Sequence, residues 1–397
     1  MNESLHTQEV NDIPQKIVLK SSLNLLLAII IFAAIAPGIL MTAPAVASQL
    51  ASQWQLSADK IGYLFSAELG AMSFATIPAW YWINRINWQR IAVLSIIVFI
   101  IGNLISAFAT TYAALFIFRI IASLAGGTLM IICLSCAGKT ENPSRMYAFW
   151  VLGQLILGTL GLLALPPLFE QFGLRIVYFI LAALMIVSFP LIKAFPDQVV
   201  KKEQPQNAAM VNTKNNVANK TMAIIAILVF YIYLSQVWTF IGLFGEKSGL
   251  SAEENGRVLA IATVLGIIGS MIAAAIASKF KTNKLVFLGY GLLIASILLL
   301  LDSPVVTRFI IAAFLFKFTW TFVLPFIMAT VSQLDTSGRL MNNINLVIGG
   351  GMALGPAIGG YILVNSTNMV VFISFALLCS ICSAILVSCF LKELTSH

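Results

Sequence analysis

Charge is what this chain has little of. Only 10% of its 397 residues are Asp, Glu, Lys or Arg, against roughly 25% in an ordinary soluble domain. Histidine is nearly missing, with His6 and His397 at the two extremes. No Gly-x-x-x-x-Gly-Lys-Ser/Thr stretch occurs and no polar segment is long enough for an ATPase domain, so ATP hydrolysis is excluded within this chain. A membrane-embedded enzyme needs clusters of His, Asp or paired carboxylates near an interface, and these are lacking too. No enzyme, metal or cofactor is expected. Cysteine is sparse: Cys133, Cys136, Cys379, Cys382 and Cys389 all fall inside apolar runs, where a thiol behaves as a small hydrophobe. No disulfide framework follows, and Cys133-x-x-Cys136 has no partner set for redox or metal chemistry.

What is present is apolar material, 60% of the chain. A helix needs about 20 apolar residues to cross the hydrocarbon core of a bilayer. Runs broken by charge and turn residues predict twelve spans, at 23–50, 58–83, 91–109, 112–138, 145–169, 174–195, 221–245, 255–278, 283–301, 305–332, 340–364 and 367–391. The first is too long for a secretory signal and is expected to be a retained helix. The longest internal polar stretch, rich in Asn, Lys and Gln, separates six spans from six. The expected organisation is a tail at 1–22, a six-helix bundle at 23–195, a linker at 196–220, a second bundle at 221–391 and a tail at 392–397.

In a soluble protein a formal charge of +8 would suggest nucleic acid. Here it is read loop by loop, and no nucleic-acid partner is expected. With the N-terminus on one side, sixteen Lys and Arg residues fall on that side and five (Lys60, Arg175, Lys247, Arg257, Arg308) on the other. The positive-inside bias then places both termini and the linker in the cytoplasm, in a monomeric protein of the cytoplasmic (inner) membrane. The remaining two cations, Arg119 and Lys317, lie within spans. They sit in related pentamers, Leu115-Phe-Ile-Phe-Arg119 and Ala313-Phe-Leu-Phe-Lys317, which overlays span 4 on span 10 and suggests parallel repeats.

With two six-span halves, this pentamer and a polar central linker, the chain resembles the major facilitator superfamily of secondary transporters over essentially its whole length. The family's loop between spans 2 and 3 corresponds to Trp80 through Arg90, which keeps Arg85 and Arg90 of the conformational latch but lacks its two glycines and its acid. Arg119, with Gly126 and Gly127 beyond it, is similar to the buried arginine of span 4. Gly355-Pro356-Ala-Ile-Gly359-Gly360 in span 11 is similar to the span-5 signature of the family's antiporters, transposed to the repeat-equivalent helix. The resemblance implies alternating access around a midplane site, with efflux slightly favoured over import. A non-transporting receptor on the same fold is the alternative of another class.

Ionisable side chains at mid-membrane cost about 2.5–3.5 kcal/mol on insertion scales, so each is a functional hypothesis by default. Glu68 is the only acid placed deeply, about ten residues into span 2. With no internal histidine, a proton carrier must be a carboxylate, and Glu68 is the expected proton-coupling residue. The alternative is a static Glu68–Arg119 pair holding spans 2 and 4 together. Arg119 and Lys317 facing one cavity from opposite halves suit an anionic small molecule, Arg as a bidentate fork and Lys as a point charge. The alternative is that Arg119 satisfies backbone carbonyls or Glu68, and that Lys317 snorkels. Gln154, Gln236, Trp238, Trp320 and Asn345 are further expected substrate contacts, although aromatics near span ends are commonly interfacial anchors. Pro37-Gly38, Pro325 and Gly349-Gly350-Gly351 are expected bending points, with close helix packing as the alternative for such small residues.

Overall fold

The computed structural model describes residues 22–197, 214–277, 279–301, 305–332, 339–366 and 368–395. The fold is an all-α membrane protein of twelve spans in two six-helix halves. Nine helices among the described residues are long and apolar enough to cross a bilayer, and the three other spans are a 17-residue helix and two broken ones.

Span 1 is α1 (Leu23–Ile35), α2 (Gly38–Met41) and α3 (Ala43–Gln53). Pro37 has no backbone N–H to donate, so the helix breaks there as expected. Span 2 is α4 (Ala58–Phe74) and α5 (Thr76–Trp82), a break that was not anticipated. Its cause is Pro78, whose ring crowds the carbonyl of Phe74 four residues back. Then follow α6 (Trp88–Ala107), α7 (Tyr112–Gly138), α8 (Pro143–Phe172) and α9 (Arg175–Ser188), which Pro190 tightens into a 3-10 segment, Phe189–Ala194. The second half comprises α10 (Lys214–Lys247), α11 (Ala252–Ile276), α12 (Thr282–Leu298), α13 (Val306–Ser332), α14 (Arg339–Asn365) and α15 (Met369–Thr395). Helix α10 begins inside the stretch read as linker. Pro325 and Gly349–Gly351 do not break α13 or α14. Gly349 instead admits Ser73 of α4, and Gly351 admits Leu228 and Tyr231 of α10, so close packing is what these glycines provide.

Helix starts at the span ends are capped by polar side chains. Asn87 accepts from the Arg90 N–H at 3.2 Å, Thr111 from Ala114 at 3.3 Å and Asn142 from Arg145 at 3.1 Å, while Ser251 and Glu254 form a reciprocal capping box. Each cap satisfies a donor that the first helical turn leaves unpaired. Outward faces carry Leu94, Val187, Met271 and Leu378, all exposed, as a hydrocarbon solvent permits.

The halves meet along three seams: α4 against α14, α8 against α11, and α3 against α10. Glycines set the approach, because Gly62 and Gly360 have no room for a Cβ against Pro356 and Ala58 across the first seam, nor Gly256 against Leu162 across the second. The Ala357 N–H donates to Ser66 Oγ at 2.9 Å between halves. These contacts lie from mid-span toward the end opposite the chain termini, whereas α1, α6, α7 and α9 pack within their own half. The seam is thus closed at the end opposite the termini.

Candidate functional site

The break at Pro37 opens the middle of span 1, and α4 and α7 pass beside it. There Glu68 and Arg119 meet, 6% and 2% exposed. Arg119 Nε and Nη2 donate to Glu68 Oε1 and Oε2, both at 2.9 Å, in a bidentate fork. Arg119 Nη1 donates to Asn103 Oδ1 of α6 at 2.8 Å. The Asn103 amide is itself held by donation to the Phe99 carbonyl at 2.8 Å. Ser123 Oγ reaches Glu68 Oε2 at 3.5 Å, and the Arg119 guanidinium lies 5.0 Å from the Tyr178 ring centroid. A buried pair survives desolvation only when its geometry is good and its remaining donors are satisfied, and here every guanidinium nitrogen is engaged.

Lys317, 3% exposed on α13, has a different environment. Its ammonium lies 3.7 Å from the Trp238 ring centroid and 4.3 Å from that of Trp320. The two rings are 6.3 Å apart and nearly perpendicular, forming two walls of an aromatic box. A desolvated cation gains roughly 2 kcal/mol from such faces. Among the described residues no carboxylate pairs with it.

Trp238 connects the two centres. Its indole N–H donates at 3.1 Å to the carbonyl of Leu40, in the broken part of span 1. Leu40 lines a small cavity with Pro37, Phe65, Glu68, Arg119 and Ser123. That cavity holds about 10 Å³, room for one water at most, so a solute needs a change of conformation to enter.

Other expected contacts are dispersed. Gln236 is fully buried and donates to the Phe372 carbonyl at 3.3 Å, leaving its Oε1 without a partner among the described residues. Gln154 Nε2 and Trp150 Nε1, one turn apart on α8, are also buried and unpaired among the described residues. The side chain of Asn345 lies outside the described residues, as do residues 1–21, 198–213 and 396–397. Arg85 is exposed and stacks 4.3 Å over Tyr81, and Arg90 is exposed beside Lys193 at the end of the 3-10 segment. The glycine-proline motif is a two-sided wedge: Gly355 and Gly359 admit Ser235 and Gln236 of α10, while Pro356 and Gly360 press on α4.

The sequence reading missed Asn103, Ser123 and Tyr178. A polar residue at the centre of an apolar run is a readable signal, and Asn103 is one. Tyr178 gave none, because it sits near a span end among residues expected to anchor at the interface.

The family model of the Major Facilitator Superfamily matches residues 25–341, and the chain belongs to that family of membrane transporters. Curated relatives include the MFS-type transporter YceJ of Bacillus subtilis, 20% identical over 78% of this chain and 80% of that protein. A probable sugar efflux transporter of Haemophilus influenzae is 23% identical over 70% and 69%. Among solved structures, the nucleoside transporter NupG superposes with a TM-score of 0.70 at 15% identity, covering 93% of this chain and 98% of that one. A bacterial homologue of the lysosomal transporter Spinster, inward-facing and unoccupied, gives 0.66 at 15%, covering 93% and 97%. At these identities the structures speak for the fold alone.

Proposed function

We propose that this transporter moves a small organic anion and couples its movement to protons through Glu68. The observation that carries the reading is the asymmetry of the buried charges: Glu68 occupies the Arg119 fork, while Lys317 is left without an anion among the described residues. A desolvated carboxylate or phosphate bound by Lys317 gains a charge-assisted hydrogen bond, about twice a neutral one. Protonation of Glu68 removes the charge that holds the fork, freeing Arg119 for the same substrate. Gln154 and Gln236, each with an unpaired amide atom, and the faces of Trp238 and Trp320 supply neutral contacts. Asn345 completes the expected set, and the wedge of Gly355, Pro356, Gly359 and Gly360 lets the halves rock across the α4–α14 seam.

Direction has two readings. Outward movement rests on the glycine-proline motif and on the efflux named for the Haemophilus relative. The engaged fork favours a second reading, proton-coupled import of organic acids, because proton and anion load together when Glu68 is neutralised. The charge bias of the loops supports an orientation with both termini at the cytoplasmic face of the inner membrane. An impermeant thiol reagent should label a cysteine introduced at 200–215 only from that face, and labelling in intact cells would invert the orientation.

The test of coupling uses proteoliposomes loaded with a pH dye and supplied with gluconate, glucose and glucosamine, three solutes of one size and three charges. Gluconate-dependent proton flux in the wild type, lost in Glu68→Gln, is expected. Undiminished flux in Glu68→Gln would overturn Glu68 as the carrier.

A further inference from the structure

A cavity of about 540 Å³ opens in the N-terminal half at the end opposite the chain termini. Gln49, Gln53, Glu170 and Arg175 stand at its sides, and Ser106 and Tyr178 line its inner part. The polar sides are held by one another: Gln53 Oε1 accepts from the Leu174 N–H at 2.7 Å and from Gln49 Nε2 at 2.8 Å. The inner part adjoins the ion pair. Tyr178 presents its ring to the Arg119 guanidinium at 5.0 Å. Ser106 lies about one helical turn beyond Asn103, which accepts from Arg119 Nη1 at 2.8 Å. Tyr178 therefore borders both the cavity and the buried charges, and Ser106 lines the cavity one turn from the asparagine that holds Arg119. Between spans 1, 2 and 4, the space beside the pair is only about 10 Å³, and the seam between the halves is closed at this end of the molecule.

We propose that this cavity is the route by which Glu68 exchanges its proton with the solution at the end opposite the termini, separate from the passage between the halves. The inference rests on the reading of Glu68 as a proton carrier. Hydronium in the cavity gives up a proton, one of its O–H bonds breaking to leave water; the proton passes the Tyr178 ring to a carboxylate oxygen of Glu68, where an O–H bond forms, so that Glu68 becomes neutral and Arg119 keeps its charge. Tyr178 and Ser106 act by position and take no part in the transfer. The groups facing Glu68 are Arg119 and Ser123 from α7, with Asn103 from α6 and Tyr178 from α9 behind them. Helix α14, packed along α4, brings Gly349, Ala353, Pro356 and Gly360, none ionisable. The consequence is that Glu68 communicates with one solution while the substrate passage is shut toward that same side. Proton loading then precedes reorientation of the halves.

The test needs no substrate. Dicyclohexylcarbodiimide modifies a carboxyl group in its protonated form, and mass spectrometry reads the modification at Glu68. In uniformly oriented proteoliposomes, pH 5 opposite the termini and pH 8 on the other side should label Glu68 at least fivefold faster than the reversed gradient. Ala107→Cys and Ala109→Cys, at residues lining the cavity, should lose that difference when treated from the same side with an impermeant anionic methanethiosulfonate, while treated wild type keeps it. Labelling that follows the pH at the terminal side, or a difference that survives modification of both cysteines, overturns the route and leaves Glu68 as a carrier. Absence of labelling at low pH on both sides overturns the carrier reading and the route with it.

Discussion

Arg119 and Lys317 occupy related places in the two halves, yet one is neutralised by a carboxylate and the other is walled by indole rings. The first arrangement is self-sufficient. Its charges cancel, and its cost is paid by hydrogen bonds from α4, α6 and α7. The second is incomplete, because aromatic faces offset only part of the cost of removing an ammonium from water. The contrast teaches that a buried ion is stabilising or destabilising according to its partners, and that the incomplete centre is where a ligand has most to gain.

The largest effect expected from breaking this contrast is in the N-terminal half. Arg119→Ala leaves Glu68 buried without a partner, and loss of one member of such a pair costs about 3–5 kcal/mol. Thermal unfolding in detergent should show a large fall or a failure to accumulate folded protein. Lys317→Met removes an unpaired charge and fills similar volume, so its stability should equal or exceed the wild type. A fall for Lys317→Met as large as that of Arg119→Ala would mean that Lys317 has a structural partner.

Glu68→Gln should cost less than Arg119→Ala, since the amide keeps its size and still accepts from the fork. The double replacement Glu68→Gln with Arg119→Gln should recover part of the loss. A double-mutant cycle is expected to give a coupling of about 2 kcal/mol or more, near the upper range for residues in one network; additivity would contradict the paired arrangement.

Within the aromatic box, Trp238→Leu should exceed Trp320→Leu in effect. Trp238 is nearer to the ammonium and also donates to Leu40 across the halves, a hydrogen bond worth about 1 kcal/mol. Equal effects would remove Leu40 from the account. The smallest change is expected at the exposed pair of Arg257 and Glu253 on α11. Arg257→Gln should shift stability by no more than about 0.5 kcal/mol, because water and salt screen the same chemistry at a surface.

Much of this was legible in the sequence. Spans follow from apolar length, and Glu68, Arg119 and Lys317 stand out because so few ionisable residues lie inside them. Their partners are another matter. Asn103 and Tyr178 reach Arg119 from α6 and α9, and Leu40 meets Trp238 through a backbone carbonyl, contacts fixed by helix rotation and crossing that no spacing along one helix encodes. The break at Pro78 was readable from the proline alone. The glycine-proline motif was seen, but its two faces were not, since only packing shows that Gly355 and Gly359 serve α10 while Pro356 and Gly360 serve α4.

The most direct measurement of the central claim, that the incomplete centre selects an anion, is uptake of gluconate, glucose and glucosamine by wild type and Lys317→Met in proteoliposomes under one pH gradient. The account predicts that gluconate transport falls at least tenfold in the variant, about 1.4 kcal/mol of lost interaction, while glucose and glucosamine are unchanged or gain. An equal proportional loss for all three solutes would make Lys317 structural and contradict the anionic reading.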